Sequence, residues 1–188
     1  MRPTTYCALD LEFNQPSKRV IQIGLCMGTW GTGEPNYERA VWYVDPGEPI
    51  SEFITKLTGI TDEDIRTKAK PLEQIASEVL KFLDRPRFVN PVVWGEGDAR
   101  ALRALFESAG LAQPHFGHRS IDVKTIFVFL NAAESGPTRG SLGSALKLYK
   151  LGFEGDSHRA DADALNTLRL FFHLLDKQHH LASNAKAA

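Results

Sequence analysis

Asp10 and Glu12 stand two residues apart inside an otherwise apolar run, Tyr6-Cys7-Ala8-Leu9-Asp10-Leu11-Glu12-Phe13. In a β-strand that spacing puts both carboxylates on one face. Two like charges on a half-buried strand repel and lose hydration, so they persist where a cation compensates them. No Lys or Arg lies between Pro3 and Ser17, and hard carboxylate oxygens suit Mg²⁺ or Mn²⁺ better than zinc. An edge strand with a solvated acidic face is the alternative that this pair alone leaves open. Two further places carry chemistry. Asp98 follows Trp94-Gly95-Glu96-Gly97, where a short apolar strand turns into a helix; open α/β sheets bind ligands at such turns, although an Asp there also serves as an N-cap contributing about 1 kcal/mol. Ser157-His158-Arg159-Ala160-Asp161-Ala162-Asp163 then opens the last helix with a histidine and two acids. Glu96, Asp122 and Asp156 read as surface or capping acids.

The elements that must hold these residues follow from hydrophobic periodicity. The chain has 188 residues, 43% of them hydrophobic, enough for one domain with a substantial core. That domain is predicted over 1–176, with 177–188 a frayed tail. The first strand is followed by a second from Val20 to Gly28 and a third from Tyr37 to Val44, short connections that imply an antiparallel meander. Helices are predicted over Ser51–Leu57, from Thr61 with Asp64 three residues on, and from Pro71, where Leu72, Ile75, Ala76, Val79 and Leu83 share one face. Pro91–Gly95 reads as a buried strand leading into a helix from Asp98 to Ala109, whose inner face is Leu102, Leu105, Phe106 and Ala109. A strand at Ser120–Val123 and helices over Thr125–Ala133, Ser141–Tyr149 and Asp161–Asp176 complete the pattern, with 134–140 a flexible loop. The expected fold is α/β, a mixed five-stranded sheet flanked by helices, with Asp10 and Glu12 on its central strand.

Composition sets limits on partners. Twenty-two basic and 23 acidic residues give a net charge of −1, so an anionic partner must be held by local basic groups and metal rather than by overall charge. Cys7 and Cys26 both lie in apolar strands, the usual setting of a small buried thiol. No run reaches the roughly 18 apolar residues of a membrane span, and the amino terminus lacks the apolar core of a signal peptide. A cytoplasmic protein with no membrane partner is expected.

Together, Asp10-x-Glu12, Asp98 and His158-x₄-Asp163 resemble the DEDDh 3′-to-5′ exonucleases, the proofreading-exonuclease-like branch of the ribonuclease H-like fold. The resemblance covers roughly residues 4–176, and Val20-Ile21-Gln22-Ile23-Gly24, Leu57-Thr58-Gly59-Ile60-Thr61 and Ser141-Leu142-Gly143-Ser144-Ala145-Leu146 support it in order. It implies a hydrolase that releases nucleoside 5′-monophosphates from single-stranded nucleic acid 3′ ends. It further implies two Mg²⁺ or Mn²⁺ ions held by Asp10, Glu12, Asp98 and Asp163, with His158 as general base; Asp161 falls outside the pattern. Phe13 stands where many members carry a small hydroxyl residue and offers a surface for stacking a terminal nucleotide. Arg139 and Arg159, with Lys147 and Lys150, are candidate phosphate contacts. Trp94-Gly95-x-x-Asp98 replaces an Asn-containing motif of proofreading members and resembles the subgroup trimming histone messenger and small RNA ends, which favours RNA. A proofreading enzyme acting on DNA 3′ ends is the alternative, for which a longer segment after Asp176 would be expected. A nuclease-fold binding module is another, against which all five positions are filled. A homodimer is compatible with the sequence.

Overall fold

The computed structural model describes residues 3–33, 35–84, 90–114, 119–135 and 140–187. Among these, five strands form one sheet in the order β3-β2-β1-β4-β5. The meander comprises β1 (Thr4–Phe13), β2 (Val20–Trp30) and β3 (Tyr37–Tyr43), paired antiparallel. The short strands β4 (Val92–Val93) and β5 (Ile121–Asp122) then add in parallel on the other side of β1. The strand carrying Asp10 and Glu12 is therefore central, as expected.

Alternation along β1 builds two separate layers. Cys7, Leu9 and Leu11 point into a core made with Ile75, Ala76, Val79 and Leu83 of α3 (Leu72–Leu83) and Ala99, Leu102 and Phe106 of α4 (Asp98–Ser108). Tyr6 and Ala8 face the opposite core, formed by α5 (Val123–Ser135), α6 (Leu142–Leu148) and the long α7 (Ala160–Ala187). Asp10 and Glu12 continue this second set, so their carboxylates face the α7 side. A smaller cluster, Ile21, Tyr43, Ile50, Ile54, Ile60 and Ile65, seats α1 (Glu52–Thr58) and α2 (Asp62–Lys68) at the meander's end. Thr61 and Asp64 form the reciprocal capping box that their spacing predicted.

Most element ends shift by a few residues, and two helices depart further from expectation. On α4, Leu105 is only partly buried and Ala109 is exposed, because the helix leaves the core after Phe106. The last helix runs on to Ala187 rather than ending at Asp176. The Trp30 indole N–H donates to Asp176 at 2.7 Å and packs edge-on against His179, and residues 177–187 are mostly good helix formers. The predicted 134–140 loop falls partly on α5 and largely outside the described residues.

The first turn of α7 lies directly on β2. A Cβ added at Gly24 would sit 2.0 Å from the Ala160 carbonyl carbon and 2.3 Å from its oxygen. Only glycine permits that approach, and Gly24 is the register partner of Asp10. Gly24→Ala is expected to lower stability by at least about 2 kcal/mol, since the obstacle is backbone and cannot rotate aside; urea unfolding at fixed pH checks it.

Candidate active site

The site forms where β1, the β4–α4 turn and the start of α7 meet. β1 runs parallel to β4 with Ala8 opposite Val92, so Asp10 and Glu12 lie further along in the direction of Trp94 and Asp98. Asp98 is the first residue of α4, and the N-cap is Gly97 at φ 128°, with no side-chain capping bond. The capping alternative for Asp98 is thus not realised. Asp122 does cap: its carboxylate accepts the Lys124 N–H at 3.0 Å and also the Gly95 N–H at 2.9 Å. It thereby ties the Trp94-Gly95 turn to the start of α5.

His158 has a left-handed backbone, φ 62°, two residues before α7. Among the described residues, Glu12, His158 and Asp163 form a group whose donor atoms all lie within 4.8 Å of one another. A cavity of about 350 Å³ opens over Asp10, Glu12, His158 and Asp163, with Trp94, Leu142 and Phe153 as apolar walls. Ser141, Gly143 and Ser157 complete its rim.

Electrostatics bind the four carboxylates into one unit. Enclosure by protein raises Asp10 well above the usual carboxylate range, and Asp98, Asp163 and Glu12 raise it further. Glu12 is pushed up to about 7 by burial first, then by Asp163 and Asp98, while Arg159 opposes. Burial pushes Asp98 up to about 7. Asp163 rises to about 6, again from burial, and His158 draws it back. One buried Asp163 oxygen, Oδ1, has no hydrogen-bond partner. A lone pair left unsatisfied among mutually repelling carboxylates is the arrangement a hard cation completes. The donors present, carboxylate oxygens with one imidazole, fit Mg²⁺ or Mn²⁺.

The other candidates divide. Asp161, two residues from Asp163, pairs with Arg39 at 3.6 Å. Phe13 does not reach this cavity: β1 breaks register between Glu12 and Phe13, and the ring packs against the α3–α4 core and lines a separate cleft with Val44, Ala101 and Leu105. Alternation along the strand turns it away from the Asp10 face. Arg159 donates to the Tyr43 hydroxyl and lies over that ring, 5.5 Å from its centre, close enough to act on Glu12. Lys147 and Lys150 are exposed and outside the cavity lining. Arg139 lies outside the described residues. The lining residues that had no individual signal in the sequence are Phe153 and Ser157. Ser141, Leu142, Gly143 and Trp94 belong to motifs already conspicuous there.

A family model described as Exonuclease matches residues 8–171. The chain belongs to the exonuclease family. It is 33% identical over 186 residues to the PolC-type DNA polymerase III of Streptococcus suis, covering 95% of this chain and 12% of that protein. It is 26% identical over 185 residues to the 3′-5′ exonuclease DinG of Bacillus subtilis, covering 96% of this chain and 19% of that protein. This exonuclease chain thus spans a small fraction of the curated relatives it matches. Among solved structures, the nuclease domain of 3′hExo, a DEDDh family member bound to rAMP, superposes with a TM-score of 0.74 at 17% identity, covering 92% of both chains. An E. coli ExoI–ssDNA complex gives 0.71 at 17% identity, covering 97% of this chain and 43% of the other. The exonuclease chain therefore has the ribonuclease H-like fold, and its resemblance to the DEDDh group holds. Among the described residues, no helix is long and apolar enough to cross a membrane.

A carboxylate whose pKa is raised by folding stabilises the native state fully below its unfolded value, near ~4, and that contribution is lost as pH rises through the folded value. For Glu12, Asp98 and Asp163 the loss spans the interval up to about 6 or 7. The metal-free Tm of wild type is expected to fall from pH 5 to pH 8, and to fall further than that of Asp10→Asn, which removes one of the four crowded carboxylates. Mn²⁺ should raise the wild-type Tm at pH 8 and do so much less at pH 5. A metal response that is flat across this range would contradict the coupled carboxylate site.

Proposed function

We propose that this chain is a divalent-metal-dependent 3′-to-5′ exonuclease that hydrolyses unpaired nucleic acid ends to nucleoside 5′-monophosphates. The observation that carries the proposal is the meeting of Asp10, Glu12, Asp98 and Asp163 from three elements in one electrostatic unit, with His158 against two of them. Membership of the exonuclease family supports it.

The four carboxylates would hold a pair of Mg²⁺ or Mn²⁺ ions, roughly balancing their charge. When bound, such ions supply a water of lowered pKa and stabilise the departing 3′ oxygen. His158, on an exposed turn at the cavity mouth, takes a proton from the attacking water. Asp163 beside it stabilises the imidazolium that results. The water oxygen bonds to phosphorus as the bond to the 3′ oxygen breaks, and the departing oxygen collects a proton from solvent. Trp94, Leu142 and Phe153 present apolar surface to the terminal nucleotide, the role expected of Phe13. Arg159, already fixed by Tyr43, offers a guanidinium close to the scissile region.

The preference for RNA rests on Trp94-Gly95. In the fold these residues serve the turn, Gly95 at φ 95° donating to Asp122 and the Trp94 ring packing 6.0 Å from Phe127. A second reading, DNA 3′ ends, is favoured by relatives named as DNA polymerases at 27–34% identity. Matched 5′-labelled RNA and DNA oligomers under one salt condition separate the two.

Excess chelator is expected to abolish hydrolysis, and a 5′-labelled single strand should give a ladder shortening one nucleotide at a time. Mid-chain fragments, or cutting of a circular strand as fast as a linear one, would refute the exonuclease reading. Asp163→Asn should lower kcat by about 10³-fold or more and Asp161→Asn by no more than about threefold; equal losses would contradict the assignment of Asp163 to the site.

A further inference from the structure

We infer that Gln22 is a positioning residue for this site: its buried carboxamide holds the first turn of α7 against β2 and so fixes how closely His158 and Asp163 approach Glu12. The kinetic consequence rests on the exonuclease reading above. Gln22 is 0% exposed and lies directly opposite Glu12 on β1 and Tyr43 on β3. Side chains of directly paired residues share a face, so Glu12, Gln22 and Tyr43 form one row beneath α7. The Gln22 Oε1 accepts the Ala160 backbone N–H at 2.9 Å. Ala160 is the first residue of α7, and its N–H is one that the helix cannot satisfy internally.

Neighbouring contacts act on the same turn. Gly24 lets the Ala160 backbone rest on bare strand, and Arg159 is held by the Tyr43 hydroxyl. The Asp163 N–H then donates to the Arg159 carbonyl at 2.9 Å. Residues 159 and 160 are thus anchored to β2 and β3 midway between His158 and Asp163. The anchor is a costly choice. The Gln22 Nε2 is buried with no hydrogen-bond partner, a loss that an apolar side chain of similar length would avoid. Such a side chain could not accept the Ala160 N–H.

Two substitutions remove this bond from its two ends. Gln22→Met keeps length and removes the acceptor; Ala160→Pro removes the donor at the first helical position, where proline is well tolerated. Each should lower kcat about tenfold or more with KM for a labelled oligomer unchanged within about twofold, and each should shrink the Mn²⁺-induced rise in Tm. The double variant should be no worse than either single one, because both remove one shared bond. Wild-type kcat and wild-type Mn²⁺ response with only a lowered Tm would make Gln22 a packing residue and overturn the inference. Should Gln22→Met not fold, Ala160→Pro decides alone. If the wild-type protein hydrolyses no 3′ end, the proposed function fails separately, and the Mn²⁺ response of the variants still decides the role of Gln22.

Discussion

Carboxylates withdrawn from water repel one another, and this fold depends on holding four of them together in spite of that. The restraint comes from backbone rather than from charge. Asp10 and Glu12 are fixed by β1, which is paired on both sides in the middle of the sheet. Asp98 is fixed by the turn from β4 into α4, and Asp163 by a helix whose first turn touches the Gly24 backbone. None of these supports can drift outward without breaking a sheet ladder or unseating a helix. Burial first, and for Asp10, Glu12 and Asp163 the neighbouring carboxylates second, therefore raise the carboxylate pKa values.

Some departures from ordinary folding preference lie at this site. His158 takes a left-handed backbone conformation uncommon for a residue with a side chain. An amide nitrogen of Gln22 and an oxygen of Asp163 are buried without partners. Lys18 and Lys150 share the left-handed conformation and Thr167 Oγ1 is likewise buried without a partner, while the Thr61 capping box, the Ser51 and Ser141 caps, and the Gly59 left-handed C-cap occur where residue type favours them.

The two faces of β1 do different work. One packs Leu9 and Leu11 against α3 and α4, and this core supplies the apolar burial that keeps the central strand in place. The other turns from core to chemistry along its length, Tyr6 and Ala8 packing under α7 before Asp10 and Glu12 open into the cavity. Asp98 belongs to the first layer yet acts on the second, because α4 begins at the carboxyl edge of the sheet where the layers meet.

Much of this was determined by sequence alone. Period-two alternation in the meander and the apolar stripe of α3 are local patterns, and each was realised because hydrophobic burial selects the same face in any packing of those elements; the Asp-x-Glu, Asp98 and His158-x₄-Asp163 spacings named residues that the fold brings near one another. Only the tertiary structure decided the rest. The periodicity of the last helix puts Ala164, Leu168, Phe171 and Leu175 on one inner face, yet Leu175 is only partly buried and Ala162, Asn166, Thr167, Leu170 and Leu174 are buried as well, because β1, β2 and α6 surround the helix. Phe13 was adjacent to the acids in sequence and opposite to them in space, since one residue along a strand reverses the face. Gln22 stood in the sequence only as part of the Val20-Ile21-Gln22-Ile23-Gly24 run, with no role of its own. Its meaning depended on a helix 138 residues away arriving with an unpaired N–H, and no local pattern records which backbone group a distant turn will leave unsatisfied.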